Sequence, residues 1–156
     1  LQSNAEETTK LNSEYFQRAW QEKFGIKIKI DTAADNSTFN NTVSRGMYQI
    51  CNTGWGADYN DPMTFMQCYL TGDGNNPAFF ANEEYDKLVN EAKSEPDMKK
   101  RQESFEKAED ILINEDAGLA PLSYSFKENL INKDLKDYQF NGAGGPEIEL
   151  KTASWE

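Results

Sequence analysis

The sequence contains no histidine, which removes the commonest general base and the usual zinc ligand from a chain of 156 residues. The same absence excludes every nucleophile that is activated by an imidazole, such as a Ser-His or Cys-His pair. Cysteine is scarce too: Cys51 and Cys68 are the only two, with no Cys-x-x-Cys pair, so they cannot form a structural zinc site alone. Because disulfide geometry is demanding, we expect two free and mostly buried thiols.

Basic residues are few and long apolar runs are missing. The chain has 16 Lys and Arg against 27 Asp and Glu, a formal net charge of −11 at pH 7. Such a surface repels phosphate backbones and anionic lipid surfaces, which disfavours a nucleic-acid or membrane-surface partner. No apolar run approaches the roughly 20 residues that span a bilayer. With 37% hydrophobic and 28% charged residues, the composition is typical of a globular domain with an ordinary core.

The N-terminus carries no secretory signal and no initiator Met. We therefore expect a mature fragment or a piece of a longer protein, and Ser3-Asn4-Ala5 is typical of a cloning remnant. Residues 1–5 are accordingly predicted to lie outside the fold. The length suits one domain, which we divide into a ligand-binding lobe over residues 6–125 and a return segment over residues 126–156 that packs on the same lobe.

Apolar periodicity and capping residues predict the secondary structure. The predicted helices cover residues 6–24, 37–45, 62–70, 83–94 and 97–114. The expected N-caps are Asn36 or Ser37 for the second helix, Asp61 for the third and Asn82 for the fourth, and Pro96-Asp97 opens the last helix. Gly25 and Gly46 end the first two helices. The last helix is predicted to bury a stripe made of Phe105, Ala108, Ile111 and Leu112. The predicted strands cover residues 26–30, 47–53, 117–124 and 127–132, with a weak final strand containing Ile148, Leu150 and Trp155.

The order helix, strand, short helix, strand at the start of the chain is typical of a βαβ unit with parallel pairing and a right-handed crossover. Pro121 favours an edge or irregular position for the third strand, because proline has no N–H to donate to a ladder. The expected fold class is therefore α/β, with a mixed, partly parallel sheet flanked by helices.

The densest functional candidate is the segment Gly54-Trp55-Gly56-Ala57-Asp58-Tyr59-Asn60-Asp61-Pro62. It follows a predicted strand and precedes a capped helix, and ligand groups gather at the carboxyl ends of strands in open α/β sheets. Capping accounts for Asp61 but not for Asp58, which is left free to face a ligand. A tight strand-to-helix turn with a packed Trp55 explains the segment about equally well.

This segment resembles the signature stretch of the family 5 extracellular solute-binding proteins, the oligopeptide- and dipeptide-binding type. Further similarity lies in the helix-Gly-Ile unit of residues 16–30, in Asn82-Glu83-Glu84-Tyr85-Asp86-Lys87-Leu88, and in the helix over 97–114 followed by residues 119–124. The likeness covers nearly the whole chain from about residue 8. It implies the C-terminal lobe of a periplasmic-binding-protein-like fold, since full members are several times longer.

The resemblance implies a non-enzymatic peptide binder of an ABC importer, without metal or cofactor. Asp58 would pair with the α-amino group of short peptides, while Trp55 and Tyr59, with Gly56 and Ala57 between them, would line the cleft. The implied partners are the missing N-terminal lobe and ABC permease subunits. The implied location is outside the cytoplasm, on the cell surface through a lipid anchor or in the periplasm. Since one lobe supplies half of a cleft, the fragment is expected to fold but to bind peptides weakly.

Other readings stay open at this point. A surface peptide or pheromone receptor would share the fold, and the family also includes nickel, haem and sugar binders. Gly56 stands where some members carry Cys, so a disulfide there is excluded. A glycosidase using Asp58 with Asp61 or Asp73 would need two carboxylates across one pocket. A calcium loop built on these residues would lack the twelve-residue pattern that ends in Glu.

Overall fold

The computed structural model describes residues 1–4, 7–124, 128–143 and 148–155, and gives residues 7 and 8 as backbone only. The described residues include five α-helices, a 3₁₀ turn, a π-helical turn and six two-residue strands. The helices are α1 (Glu7–Phe24), α2 (Asn36–Ser44), α3 (Met63–Met66), α4 (Glu83–Ser94) and α5 (Met98–Asp110); the 3₁₀ turn Gln67–Tyr69 extends α3, and the π turn Ile111–Glu115 extends α5. The strands are β1 (Gln2–Ser3), β2 (Asp31–Thr32), β3 (Leu135–Lys136), β4 (Gln139–Phe140), β5 (Ile148–Glu149) and β6 (Ser154–Trp155).

The N-terminal strand β1 occupies the centre of the parallel part of the fold. It pairs with β2 on one side, and Gln2 forms a parallel bridge with Cys51 on the other. Gln2 and Ser3 are buried, at 4% and 0% exposure. The expectation that residues 1–5 lie outside the fold is therefore wrong for these two, because their backbone groups join two segments that would otherwise lack a partner.

The two predicted N-terminal strands are shorter than expected. Residues 26–30 form no ladder, because the carbonyl oxygen of Ile28 accepts from Gln17 Nε2 at 2.6 Å and its N–H donates to Gln21 Oε1 at 3.4 Å. Two side chains of α1 thus bond to the Ile28 backbone, while the Lys29 carbonyl accepts from the N-terminal amine of Leu1 at 2.9 Å. Residues 47–53 reduce to the single bridge at Cys51. The two predicted strands do not pair with each other, because β1 lies between them: it runs parallel to β2 and bridges Cys51 through Gln2.

The helix boundaries agree well with the predictions. Gly25, with φ of 68°, donates to Gln21 and ends α1. The N-cap of α2 is Asp35, whose carboxylate accepts from the Thr38 N–H at 2.7 Å, and not Asn36 or Ser37 as predicted. Asn82 caps α4 as predicted.

The core lies between α4 and α5. Asp97 caps α5, and the predicted stripe on that helix and its π extension is buried throughout. The largest buried side chain, Tyr85, is 0% exposed and donates from its hydroxyl to the Met66 carbonyl at 2.6 Å. This bond ties α4 to the end of α3. The buried cluster comprises Met63, Phe80, Tyr85, Leu88, Val89, Ala92, Phe105, Ala108, Ile111 and Leu112.

The C-terminal part forms fewer strands than predicted. Residues 117–124 and 128–132 belong to no strand, and residue 127 lies outside the described residues. Instead β3 pairs antiparallel with β6, and β4 with β5. The predicted single final strand is therefore wrong: Ile148 lies in β5, Trp155 lies in β6, and Leu150 lies in no strand.

The α/β class is confirmed, with both parallel and antiparallel pairing. The strands form three separate two-stranded ladders, and the helices provide the core. Cys51 and Cys68 are both free, as expected. Burial raises the pKa of each thiol to about 11. The division into lobe and return segment stays a prediction.

Candidate functional site

The loop of residues 54–62 runs from the Cys51 bridge to the start of α3 and lies on the surface. Trp55 and Tyr59 are 42% and 40% exposed. Gly56, Asp58 and Asn60 are exposed as well, and Ala57 is half-buried. All five predicted site residues are therefore brought together on one short loop, and both aromatic rings keep a large part of their surface open to solvent.

Asp58 is fixed through its backbone while its carboxylate stays open. Its N–H donates to the Thr64 hydroxyl oxygen at 3.0 Å, and Thr64 is fully buried in α3. The carboxylate forms no hydrogen bond or ion pair with any residue that the structure describes. Asp58 thus presents an unneutralised negative charge from an anchored position.

Asp61 is fully engaged, unlike Asp58. Its Oδ1 accepts from the Met63 N–H at 2.8 Å, although the N-cap of α3 is Pro62 and not Asp61 as predicted. Its two oxygens also accept from both terminal nitrogens of Arg101, at 2.7 and 2.8 Å. The hydrogen bond from Arg101 is the largest of the effects that hold the pKa of Asp61 below its ordinary value of 3.8. The loop therefore contains one carboxylate used for structure and one with no structural task among the described residues.

The backbone before Asp58 is open as well. Asn52 donates to the Gln2 carbonyl, but residues 53–57 form no backbone hydrogen bond with the described part of the chain. A Cβ added to Gly54 or Gly56 would meet no atom within 4 Å, and neither glycine adopts a positive φ. Nothing in the described chain therefore requires glycine at these positions, and the space above them is free.

The alternative chemistries find little support in this geometry. Asp61 is committed to Arg101 and Asp73 accepts from the Asn75 N–H at 2.8 Å, so neither is placed to work with Asp58 as a catalytic pair. Over the described residues, no three Cys, Asp or Glu side chains are grouped as metal ligands. Within the same residues, none of the helices has the length and apolar character needed to cross a membrane.

Known proteins resemble this chain in both sequence and structure. The profile of the bacterial extracellular solute-binding proteins, family 5 middle region, matches residues 1–77. The oligopeptide-binding protein OppA of Bacillus subtilis is 32% identical over 129 residues, which cover 82% of this chain and 23% of that protein. The periplasmic oligopeptide-binding protein OppA of Haemophilus influenzae is 34% identical over 119 residues, covering 74% of this chain and 22% of that protein.

The chain belongs to the family 5 bacterial extracellular solute-binding proteins. It spans about a quarter of the length of these two curated relatives. The fold agrees with the same family: the substrate-binding domain of an oligopeptide ABC transporter from Bacillus anthracis superposes with a TM-score of 0.84 and 27% identity. That match covers 99% of this chain and 30% of the solved one.

Two residues that support the loop of this family 5 chain escaped the sequence analysis. Thr64 holds the Asp58 backbone, and Arg101 holds Asp61 across 40 residues of sequence. A signal for Arg101 was present, because it falls at helical spacing on the same face as the buried Phe105 and Ala108. An arginine on the buried face of a helix needs a carboxylate partner, because burying an unpaired charge is strongly destabilising.

Proposed function

We propose that this chain forms one wall of the peptide-binding site of an extracytoplasmic ABC-importer component, with Asp58 as the counter-ion of the peptide α-amino group. The observation that carries the proposal is the contrast between the two loop carboxylates. Asp61 is bound by Arg101 on both oxygens, whereas Asp58 has no partner among the described residues. A fixed carboxylate with free acceptor sites is the group that a primary ammonium binds best.

The open backbone of residues 53–57 supports a peptide as the ligand. Unpaired N–H and C=O groups along this segment can bond to the main chain of a peptide whatever its side chains are. The space above Gly54 and Gly56 allows another backbone to approach closely. Backbone bonds would give affinity and register, while Asp58 would select the free amino terminus.

The aromatic side chains of the loop fit the same site. Trp55 and Tyr59 flank Asp58, and each keeps about two-fifths of its surface exposed. Rings of this kind provide large apolar contact with a ligand and lose little conformational freedom on binding. They also exclude water from the amine–carboxylate pair when a cleft closes, which strengthens that pair.

The rest of a family 5 polypeptide would complete the site. The chain spans about a quarter of its curated relatives and leaves large apolar side chains uncovered, among them Leu11 at 58%, Tyr15 at 59%, Tyr124 at 92% and Leu130 at 103% exposure. We infer that part of this apolar surface packs on further protein. The other lobe would close over the peptide by a hinge motion, and the closed form would dock on the permease.

The decisive test is the substitution Asp58→Asn in the full-length protein that contains this chain. Calorimetry would compare a free-amine tripeptide with the same peptide N-acetylated. We expect the variant to lose about 10- to 100-fold in affinity for the free amine, because a hydrogen bond to a charged group contributes about 1.5–3 kcal/mol. The acetylated peptide should bind both proteins equally weakly.

Asp134→Asn is the matched control, since it removes the same charge from an exposed position outside the loop. Unchanged binding of both peptides by this control would assign the effect to the loop. If Asp58→Asn bound the two peptides as the unmodified protein does, the counter-ion role would be refuted. If the unmodified protein bound neither peptide, the peptide function itself would be refuted.

A further inference from the structure

We propose that Arg101 is a positioning residue that holds the ligand-binding loop in the conformation from which Asp58 selects a free amine. The proposal rests on the proposed function and adds a residue far from the loop in sequence. It starts from the bidentate contact between Arg101 and Asp61, whose N–O distances are 2.7 and 2.8 Å. A planar guanidinium that binds both oxygens of one carboxylate fixes the orientation of that group as well as its distance.

Arg101 is itself held rigidly by two further contacts. Its Nε donates to the Ala92 carbonyl in the last turn of α4 at 2.9 Å. Its guanidinium carbon lies 4.8 Å from the centroid of the Phe105 ring, within the range of a cation–π contact. Only 14% of the Arg101 side chain is exposed. The residue therefore connects α4, α5 and the loop at one point and has little freedom to adapt.

The position of Arg101 affects the loop at two residues, Asp61 and Asp58. Asp61 accepts from Arg101 and also caps the Met63 N–H, which fixes the start of α3 relative to the loop. The first turn of α3 then holds Thr64, whose hydroxyl accepts from the Asp58 N–H. A continuous series of bonds thus runs from the helical core to the backbone of Asp58. Surface ion pairs contribute little, but this pair is partly buried and sits in such a network.

Within the described residues, the titratable groups that act on the pair are few. Asp61 and Arg101 act on each other, and the Tyr59 phenol of the same loop acts on Arg101. Arg101 therefore depends on Asp61 for its neutralisation. The substitution Arg101→Lys would keep the positive charge but lose the bidentate geometry. It therefore distinguishes the effect of orienting Asp61 from the effect of charge attraction alone.

The first test is hydrogen–deuterium exchange in the full-length protein, followed on fragments that contain the bonded N–H groups of Asp58 and Asp61. Arg101→Ala is expected to raise the exchange rate of these fragments about tenfold or more, while fragments of the α4 core keep their protection. Arg101→Lys should give an intermediate rate. Asp61→Asn, which keeps a capping oxygen for Met63, should loosen the loop in the same way as Arg101→Ala.

The second test measures selectivity, which a purely structural role would not change. The ratio of the affinities for a free-amine tripeptide and its N-acetylated form is expected to fall about tenfold in Arg101→Ala and less in Arg101→Lys. A merely destabilised protein would lose affinity for both peptides in parallel and keep the ratio. Lys107→Ala is the control, because it removes an equal charge from an exposed site on α5.

The outcomes separate this inference from the proposed function. Unchanged exchange of the Asp58 and Asp61 N–H groups in both Arg101→Ala and Asp61→Asn would overturn the positioning role, and so would a looser loop with an unaltered selectivity ratio. If Arg101→Ala fails to fold, the exchange rates and the selectivity ratio of Arg101→Lys and Asp61→Asn are compared with those of the unmodified protein instead. If the unmodified protein shows no amine selectivity, the proposed function fails instead, and the exchange data still report whether Arg101 orders the loop.

Discussion

The hydroxyl oxygen of Thr64 accepts a hydrogen bond from the backbone N–H of Asp58 at 3.0 Å. Thr64 is completely buried in α3, whereas Asp58 is exposed on the loop. The bond therefore transfers the rigidity of a helix to a residue that is otherwise open to solvent. The bond fixes the backbone position of Asp58 and leaves its carboxylate free to bind another group.

Thr64→Val tests this arrangement, because valine has the same shape but offers no acceptor. We expect the free energy of unfolding to fall by about 1 kcal/mol, the usual contribution of one hydrogen bond. In the full-length protein, affinity for free-amine peptides should fall with it. Chemical denaturation and calorimetry provide the two measurements. Thr53→Val on the exposed approach to the loop is the control and should change neither, and equal effects of both variants would contradict the role of Thr64.

Tyr85→Phe should destabilise the core between α3 and α4. The substitution leaves the ring in place but removes the hydroxyl that donates to the Met66 carbonyl at 2.6 Å. Because the carbonyl then loses its partner in a half-buried position, we expect a loss of about 1–2 kcal/mol in a urea titration. Tyr124→Phe removes the same hydroxyl from a side chain that is 92% exposed and should have no effect. Equal stability of Tyr85→Phe and the unmodified chain would show that the bond contributes nothing net.

The helices could be predicted from sequence because their determinants are local. The predicted N-cap Asn82 accepts from two N–H groups of α4. Pro96-Asp97 predicts where the last helix begins, and the Asp97 side chain accepts from two N–H groups of α5. The buried stripe at Phe105 and Ala108 follows directly from helical periodicity. In each case the residues that decide the structure lie within one or two turns of each other.

The strands were harder to predict because a strand needs a partner that the local pattern does not name. Gln2 is that partner for both N-terminal segments, and it stood in a stretch that resembled a cloning remnant. Residues 117–124 have a strand-like composition but pair with no described segment, and Leu122 is 57% exposed. The ladder between β4 and β5 joins two short runs that carry little alternation of their own.

Some features of the site could likewise be predicted from neighbouring residues, whereas others depend on residues distant in sequence. The separate tasks of Asp58 and Asp61 could be predicted, because the start of a helix is recognised from the neighbouring Pro62. The Arg101 contact could not be assigned to Asp61, since it spans 40 residues and depends on how α5 packs. Sequence therefore locates the loop, and tertiary packing determines how the loop is held.

Asn76→Asp should be strongly destabilising although it changes a single atom. Asn76 is 8% exposed; its Nδ2 donates to the carbonyls of Leu70 and Phe80, and its Oδ1 accepts from the Phe80 N–H. A carboxylate would face two carbonyl oxygens with no proton to donate, so we expect a loss of about 2–4 kcal/mol at pH 7.

The Asn76→Asp loss should become smaller at low pH, because the protonated acid can again donate one hydrogen bond. Asn75→Asp is the matched control. The Asn75 side chain is exposed, so we expect this substitution to leave the stability unchanged at every pH. Urea unfolding of both variants at pH 7 and pH 4 gives the comparison. A loss at Asn76 that is independent of pH would mean that the introduced charge is not the cause.

The ion pair between Asp61 and Arg101 should make stability depend on pH at the acid end. Since the pair lowers the pKa of Asp61 below 3.8 in the folded chain, the unfolded chain binds the proton more readily. The stabilisation is therefore complete above the pKa of Asp61 in the unfolded chain, and it is lost as the pH falls through the pKa of Asp61 in the folded chain.

The variant Asp61→Asn lacks this titration, whereas all other carboxylates are present in both proteins. The difference in unfolding free energy between the two proteins should accordingly be largest at pH 6 and shrink towards pH 3, as measured by urea denaturation at several pH values. A difference that stays constant over this range would show that the charge on Asp61 does not account for the stabilisation.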